Sequence, residues 1–314
     1  MVSNTRGDTT KGDFKSYNYP DRNLVINWTD NSRGDGAAIR DAEVNAKNLT
    51  INANFSGNEW TDKGVISDAA THIKASGDIN IATNNDSVYT EGKGTTTIEG
   101  FKNLNITSSI AGYGLVDNGG GITVSGGTGS SVTIKNSGLA WDAHPTVGNS
   151  LWTGRGSALG KGITVKADKI QIQSDNKSIF AGQGKGGEKF TVDLNAHAVD
   201  VTGTISGIGG DIFINSDTNG TVTLSSANKT ENGWSSGEQS IDLMSNDTSG
   251  SNLTINKNAR GLVQILGKIQ VGGEDSSVLA NMTGDGSFVN TRADGTNSSQ
   301  FWKDAIEAYS GGTV

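Results

Sequence analysis

One short motif recurs along the chain: an apolar residue, a polar residue and a second apolar residue. Examples are Leu49-Thr50-Ile51, Ile79-Asn80-Ile81, Leu104-Asn105-Ile106, Ile122-Thr123-Val124 and Val132-Thr133-Ile134. Further along come Ile163-Thr164-Val165, Ile212-Phe213-Ile214, Ile241-Asp242-Leu243, Leu253-Thr254-Ile255 and Ile269-Gln270-Val271. Alternation puts the two apolar side chains on one side of a strand and the middle one on the other. Each strand therefore has a dry side and a wet side. Clusters of Gly, Asn, Asp and Ser between the strands supply turn chemistry.

The strands recur in loose pairs. With one strand per cycle at Ile73, Ile98, Ile122, Ile163, Val192, Ile212, Ile241 and Val263, most steps are roughly 20–29 residues, the period of a solenoid. The one large excursion lies between Val124 and Ile163, with a non-repeating stretch over residues 139–160. A β-sandwich needs hairpins and more aromatic bulk. A propeller needs longer repeats with their own signature. A parallel β-helix needs only a thin column of small aliphatics per coil, and loops can project from it without breaking the stack. The pattern predicts an all-β chain: a parallel β-helix over residues 24–297, of roughly 13 coils and about 60 Å at ~4.8 Å per coil.

The ends depart from this pattern. Residues 1–23 hold Phe14, Tyr17 and Tyr19 near Pro20 and read as an N-terminal cap over an open strand edge. Over residues 298–314, Ser298 or Ser299 can N-cap a short helix in which Phe301, Ala305 and Tyr309 share one side.

Composition narrows the function. The chain of 314 residues has 45 Gly, 2 Pro, no Cys and only 33% hydrophobic residues, too little bulk for one thick core. Lys and Arg number 25 against 33 Asp and Glu, a net charge of −8, which argues against nucleic acid as a partner. No apolar run is long enough for a membrane helix, so no membrane insertion of this chain is expected. Absent Cys removes disulfides, thiol chemistry and Cys zinc sites. Met1-Val2-Ser3-Asn4 leads directly into polar sequence, so an exported protein would be represented here by a processed or trimmed piece.

Repeats such as Asn48-Leu49-Thr50-Ile51-Asn52 and Asn252-Leu253-Thr254-Ile255-Asn256, with corners such as Asp117-Asn118-Gly119-Gly120-Gly121, give the chain its character. From about Asn23 to about Asn290 it resembles the passenger domain of a bacterial autotransporter. The resemblance implies a right-handed parallel β-helix, delivered by a membrane barrel that this chain does not contain. It also implies a location on the bacterial surface or in the medium. The expected function is a non-enzymatic adhesin that attaches to host glycans or matrix, or associates with itself in aggregates and biofilm.

Chemistry-bearing motifs are sparse. Pectin lyases and polysaccharide hydrolases also use β-helices, with carboxylates gathered on one face. That makes a polysaccharide-degrading enzyme the alternative reading. Asp193, Asp200 and Asp211 stand beside strand residues as isolated candidates, and an adjacent Asp-Asp pair is absent. His72, His144 and His197 have no metal-ligand spacing, and no cofactor is expected. Arg6-Gly7-Asp8 and Arg33-Gly34-Asp35 match an integrin-binding tripeptide in a sequence where Gly and Asp are common. Sequons such as those at Asn48 and Asn105 follow from the Asn/Thr-rich strands and turns.

Two features point to ligands. Trp60, Trp141, Trp152 and Trp234 lie in polar, turn-like sequence, where a ring either covers a loop base or stacks on a sugar. Trp141 and Trp152 belong to the long excursion, and loops on rigid scaffolds often carry binding. The second is a basic stretch. Arg155, Lys161, Lys166, Lys169, Lys177, Lys185 and Lys189 are offset in that window only by Asp168, Asp175 and Glu188. A coil of roughly 22 residues would stack Lys166 on Lys189, a ladder suited to sulfates or carboxylates of an anionic glycan. The expected ligand-binding set is therefore Trp141, Trp152, Arg155, Lys161, Lys166, Lys169, Lys185 and Lys189. The expected partner is a host glycan, glycosaminoglycans included, or a matrix protein.

Overall fold

The computed structural model describes residues 2–3, 15–30, 36–55, 63–109, 112–136, 151–153, 162–183, 189–226, 239–244, 250–257, 260–282, 287–291, 306–309 and 313–314. Among these, every regular element is a strand, and the strands join in one sheet. All pairings between named strands are parallel, each to strands one coil before and after. The fold is a parallel β-solenoid.

Each coil has three faces. Inward residues stack into three columns. On the first face the column runs Tyr17, Val44, Ile73, Ile98, Val124, Val165, Leu194, Ile214, Ile255, Ala280. On the second it runs Ile26, Ile51, Ile81, Ile106, Ile134, Ile172, Val201, Leu224, Ile265. On the third it runs Ile39, Val65, Val88, Leu115, Leu151, Ile179, Ile205, Ile241, Ile269, Ile306. Most of these side chains are fully buried. Each buried aliphatic contributes about 1.5–3 kcal/mol, so a thin but unbroken core forms from a chain poor in apolar mass.

The recurring strands thus fold as expected, but fewer coils result. Motifs such as Leu104-Asn105-Ile106 and Val132-Thr133-Ile134 lie on the second face, while Ile122-Thr123-Val124 lies on the first. The expected cycle follows the first face correctly from Ile73 to Ile212, then leaves it. Ile241 belongs to the third face and Val263 to the second. The first face resumes at Leu253, so the coil containing residues 226–250 is a second long one.

The third face was hidden by its burial pattern. Lys63–Ser67 is buried at every position, as are Leu115, Val116 and Asp117. Its outward column of Ile66, Tyr89, Val116 and Phe180 is largely apolar, with Ile66, Val116 and Phe180 buried. Strict alternation therefore fails there.

Both ends differ from expectation. Residues 15–23, expected in a cap, belong to the strand Lys15–Asp30, whose start pairs with Ala42–Ala46 on the first face. Val2–Ser3 adds to the second face at Ile26 and Asn27, and residues 4–14 lie outside the described residues. At the other end Ile306–Tyr309, expected to close a helix, is a strand on the third face paired with Ile269–Gly272. Pairing with a preformed edge overrides the helical spacing of Ala305 and Tyr309. Residues 298–305 lie outside the described residues.

Candidate functional site: a groove on the first face

Outward positions on the first face are also columnar. The residue after each inward one forms the series Ser125, Lys166, Asn195, Asn215, Asn256, Asn281. Successive coils carry the same aliphatic-Asn step here, in Leu194-Asn195, Ile214-Asn215, Ile255-Asn256 and Ala280-Asn281, so the amides fall into register. Asn215 Nδ2 donates to Asn195 Oδ1 at 3.0 Å, Asn256 Nδ2 to Asn215 Oδ1 at 2.8 Å and Asn281 Nδ2 to Asn256 Oδ1 at 3.0 Å. Asn215 Nδ2 also donates to Asp193 Oδ1 at 2.8 Å.

Beside this column, where the first face turns into the second, lies a groove of about 520 Å³. Its walls come from four successive coils: Gly126–Thr128, Lys166–Asp168, Asn195–His197 and Asn215–Asp217, with Asn256 at one end. His197 Nδ1 and Asp217 Oδ1 are 2.6 Å apart, and Ser216 Oγ donates to the His197 carbonyl at 2.9 Å. Behind the groove, Lys257 is buried and donates from Nζ to the Asp217 carbonyl and, at 3.0 Å, to the Arg260 carbonyl. Desolvation lowers the Lys257 ammonium below its ordinary pKa, against the opposing pull of Asp217. Phe213 is half-buried on the outward side of the same face, between Asp193 and Thr254.

The described residues of the expected basic site stand apart. Lys166 lies in the groove, exposed and without an ion pair among the described residues. It stacks between Ser125 and Asn195, not on Lys189. Lys189 is bound to Asp211 at 3.0 Å. Lys169 is exposed at the start of the second-face strand, between Ser131 and Ala198. Trp152 occupies the third face, in register with Val116 and Phe180. Trp141, Arg155, Lys161 and Lys185 lie outside the described residues, as do Trp60, Trp234, His144 and both Arg-Gly-Asp tripeptides.

The isolated carboxylates separate as well. Asp193 holds Asn215, and Asp211 receives Lys189 and Asn252. Asp200 stands on the second face between Gln171 and Thr223, its carboxyl raised by partial desolvation. Sequon amides at Asn48, Asn105 and Asn252 donate to Asn23, Asn80 and Asp211. Among the described residues, no cluster of three His, Asp or Glu side chains is arranged to hold a metal.

No protein-family model, curated protein or solved structure matches the chain.

Proposed function

We propose that the chain is the rod of a bacterial surface adhesin, a passenger domain of the autotransporter type, exported to the cell surface or medium. It binds glycan or matrix and does no chemistry. The observation that carries this reading is the groove: a recess built from strand and turn residues of four coils and lined by amides in register. The second face adds a neutral outward column of Thr50, Asn80, Asn105, Thr133 and Gln171. Two rods can meet there through many hydrogen bonds, each about 1 kcal/mol net. The test is display on non-aggregating bacteria, scored for clumping and for capture on immobilised glycans and matrix proteins. Dispersed cells that capture nothing would refute the adhesin.

One observation favours the enzyme as a second reading. The groove and its rim bring Asp168, Asp193 and Asp217 together with His197, a denser set than spacing along the chain suggests. Release of reducing or unsaturated sugar ends from a polysaccharide panel, lost in Asp217→Asn, would establish it in place of the adhesin.

A further inference from the structure

The geometry points to a neutral, hydroxyl-rich oligosaccharide as the ligand of the first-face groove, lying along the rod against the Asn195, Asn215 and Asn256 amides with Phe213 as its stacking platform. This rests on the adhesin reading and narrows its ligand.

Charge on the described residues favours a neutral ligand over an anionic one. The carboxylates of Asp168, Asp193 and Asp217 stand in or beside the groove, against Lys166. His197 is engaged by Asp217, and Lys257 directs its ammonium away, into backbone carbonyls. A sulfate here would lie within about one Debye length, ~8 Å, of several carboxylates and gain one free lysine. Among the described residues of the basic stretch, Lys189 is paired with Asp211 and Lys169 stands on the second face.

Hydroxyls suit the remaining capacity. A carboxamide offers two N–H donors and an acceptor oxygen with two lone pairs. Asn215 uses both donors within the column, whereas Asn256 donates one N–H to it and Asn195 only accepts. Donors therefore remain on Asn195 and Asn256 and lone pairs on all three amides. A sugar hydroxyl, donor and acceptor at once, can satisfy either kind. The amides repeat at the coil spacing of ~4.8 Å, which favours a ligand with its own repeat along the axis. Phe213 is two residues before Asn215, hence on the same side of the sheet. An aromatic ring facing outward among Asp, Asn and Thr offers its flat side to sugar C–H groups.

The experiment is an array of neutral gluco-, galacto- and manno-oligosaccharides beside heparin and chondroitin sulfate, probed at low and high salt. The full chain is compared with Phe213→Ala, Asn215→Ala and the second-face control Gln264→Ala, each first shown to keep the β circular dichroism of the parent. The expected result is salt-resistant binding of a neutral oligosaccharide, about tenfold weaker in Phe213→Ala, weakened in Asn215→Ala and unchanged in Gln264→Ala. Binding of neutral sugars that neither groove variant alters would overturn this site. Binding only to sulfated glycans, lost at high salt, would overturn the neutral ligand and leave the adhesin standing. No binding to any glycan would overturn this inference and, with it, the glycan part of the adhesin reading.

Discussion

The coils before Asn136 and the coils after Ile163 have the same core, and Asn–Asn bonds and charge contacts join coils in both, but they differ in how much charge is buried. In the earlier coils charge is built into the structure. Lys63 and Asp86 form a buried pair at 2.7 Å, with the Lys63 ammonium 4.8 Å from the Tyr89 ring centroid. Arg40 is bound to Asp68, and Asp41 accepts the amides of Asp68 and Ala69. Asp117 is fully buried and takes hydrogen bonds from Thr90 Oγ1 at 2.6 Å and from the amides of Gly119, Gly121 and Gly162 at 3.1, 2.9 and 2.7 Å. On the first face, His72 stands between Glu43 at 2.9 Å and Glu99 at 3.3 Å. In the later coils the first face is joined mainly by neutral amides, and it is there that the groove opens. The difference teaches that charge in this acidic rod serves mainly to lock coils, whereas amides both lock coils and keep capacity for a ligand.

The largest effect should come from Asp117→Ala. It strands a hydroxyl and three amide donors, each costing about 1–3 kcal/mol when buried and unpaired. We expect a loss of about 4 kcal/mol or more, read as a lower urea midpoint, with a smaller loss for Asp117→Asn. The φ of Gly162 is +108° and a Cβ there would meet the Thr191 carbonyl oxygen at 2.0 Å, so Gly162→Ala should also destabilise.

Lys63→Met should follow, at about 3 kcal/mol, because it leaves the Asp86 carboxylate buried without its cation. In contrast, Asn215→Ala in the later coils should cost about 1 kcal/mol in the same urea titration. If Lys63→Met costs no more than Asn215→Ala, the contrast between the two regions is wrong.

The smallest effect is a pH effect confined to the earlier coils. Burial alone would raise the Glu99 carboxyl, but hydrogen bonds and charge from His72 and Lys74 hold it below its ordinary value of 4.5. A depressed carboxyl stabilises the fold above its ordinary pKa, and that contribution disappears as pH falls through the depressed folded value. The pair is partly exposed, so the contribution is about 1 kcal/mol or less. Glu99→Gln should therefore melt slightly below the parent at pH 7 and level with it well below pH 4.5. A gap that widens on acidification would reverse the sign of this argument.

The sequence carries the solenoid in motifs such as Leu104-Asn105-Ile106, where an inward pair and a wet middle residue match the observed strand. It carries the third face poorly. Lys63-Gly64-Val65-Ile66-Ser67 is buried throughout, so polarity does not alternate with orientation. The groove was less legible still, because it depends on which residues stack. Stacking depends on coil length, and that length is not constant. Asn195 and Asn215 are separated by 20 residues, Asn215 and Asn256 by 41. A fixed repeat of roughly 22 residues puts Lys166 over Lys189, whereas the fold puts it beside Asn195. The recurring aliphatic-Asn step at Asn195, Asn215, Asn256 and Asn281 was the available signal, since it repeats whatever the loop length. His197 gave no signal, because its partner Asp217 comes from the next coil.

On the proposed function the later coils bind the ligand and the earlier coils only support the rod. Hydrogen exchange of the full chain, with and without a mixture of neutral gluco-, galacto- and manno-oligosaccharides, separates the two regions. Added protection is expected over residues 193–197, 213–217 and 254–256, with residues 36–118 unchanged. Protection confined to the earlier coils or to the third face, with the groove strands unaffected, would contradict it.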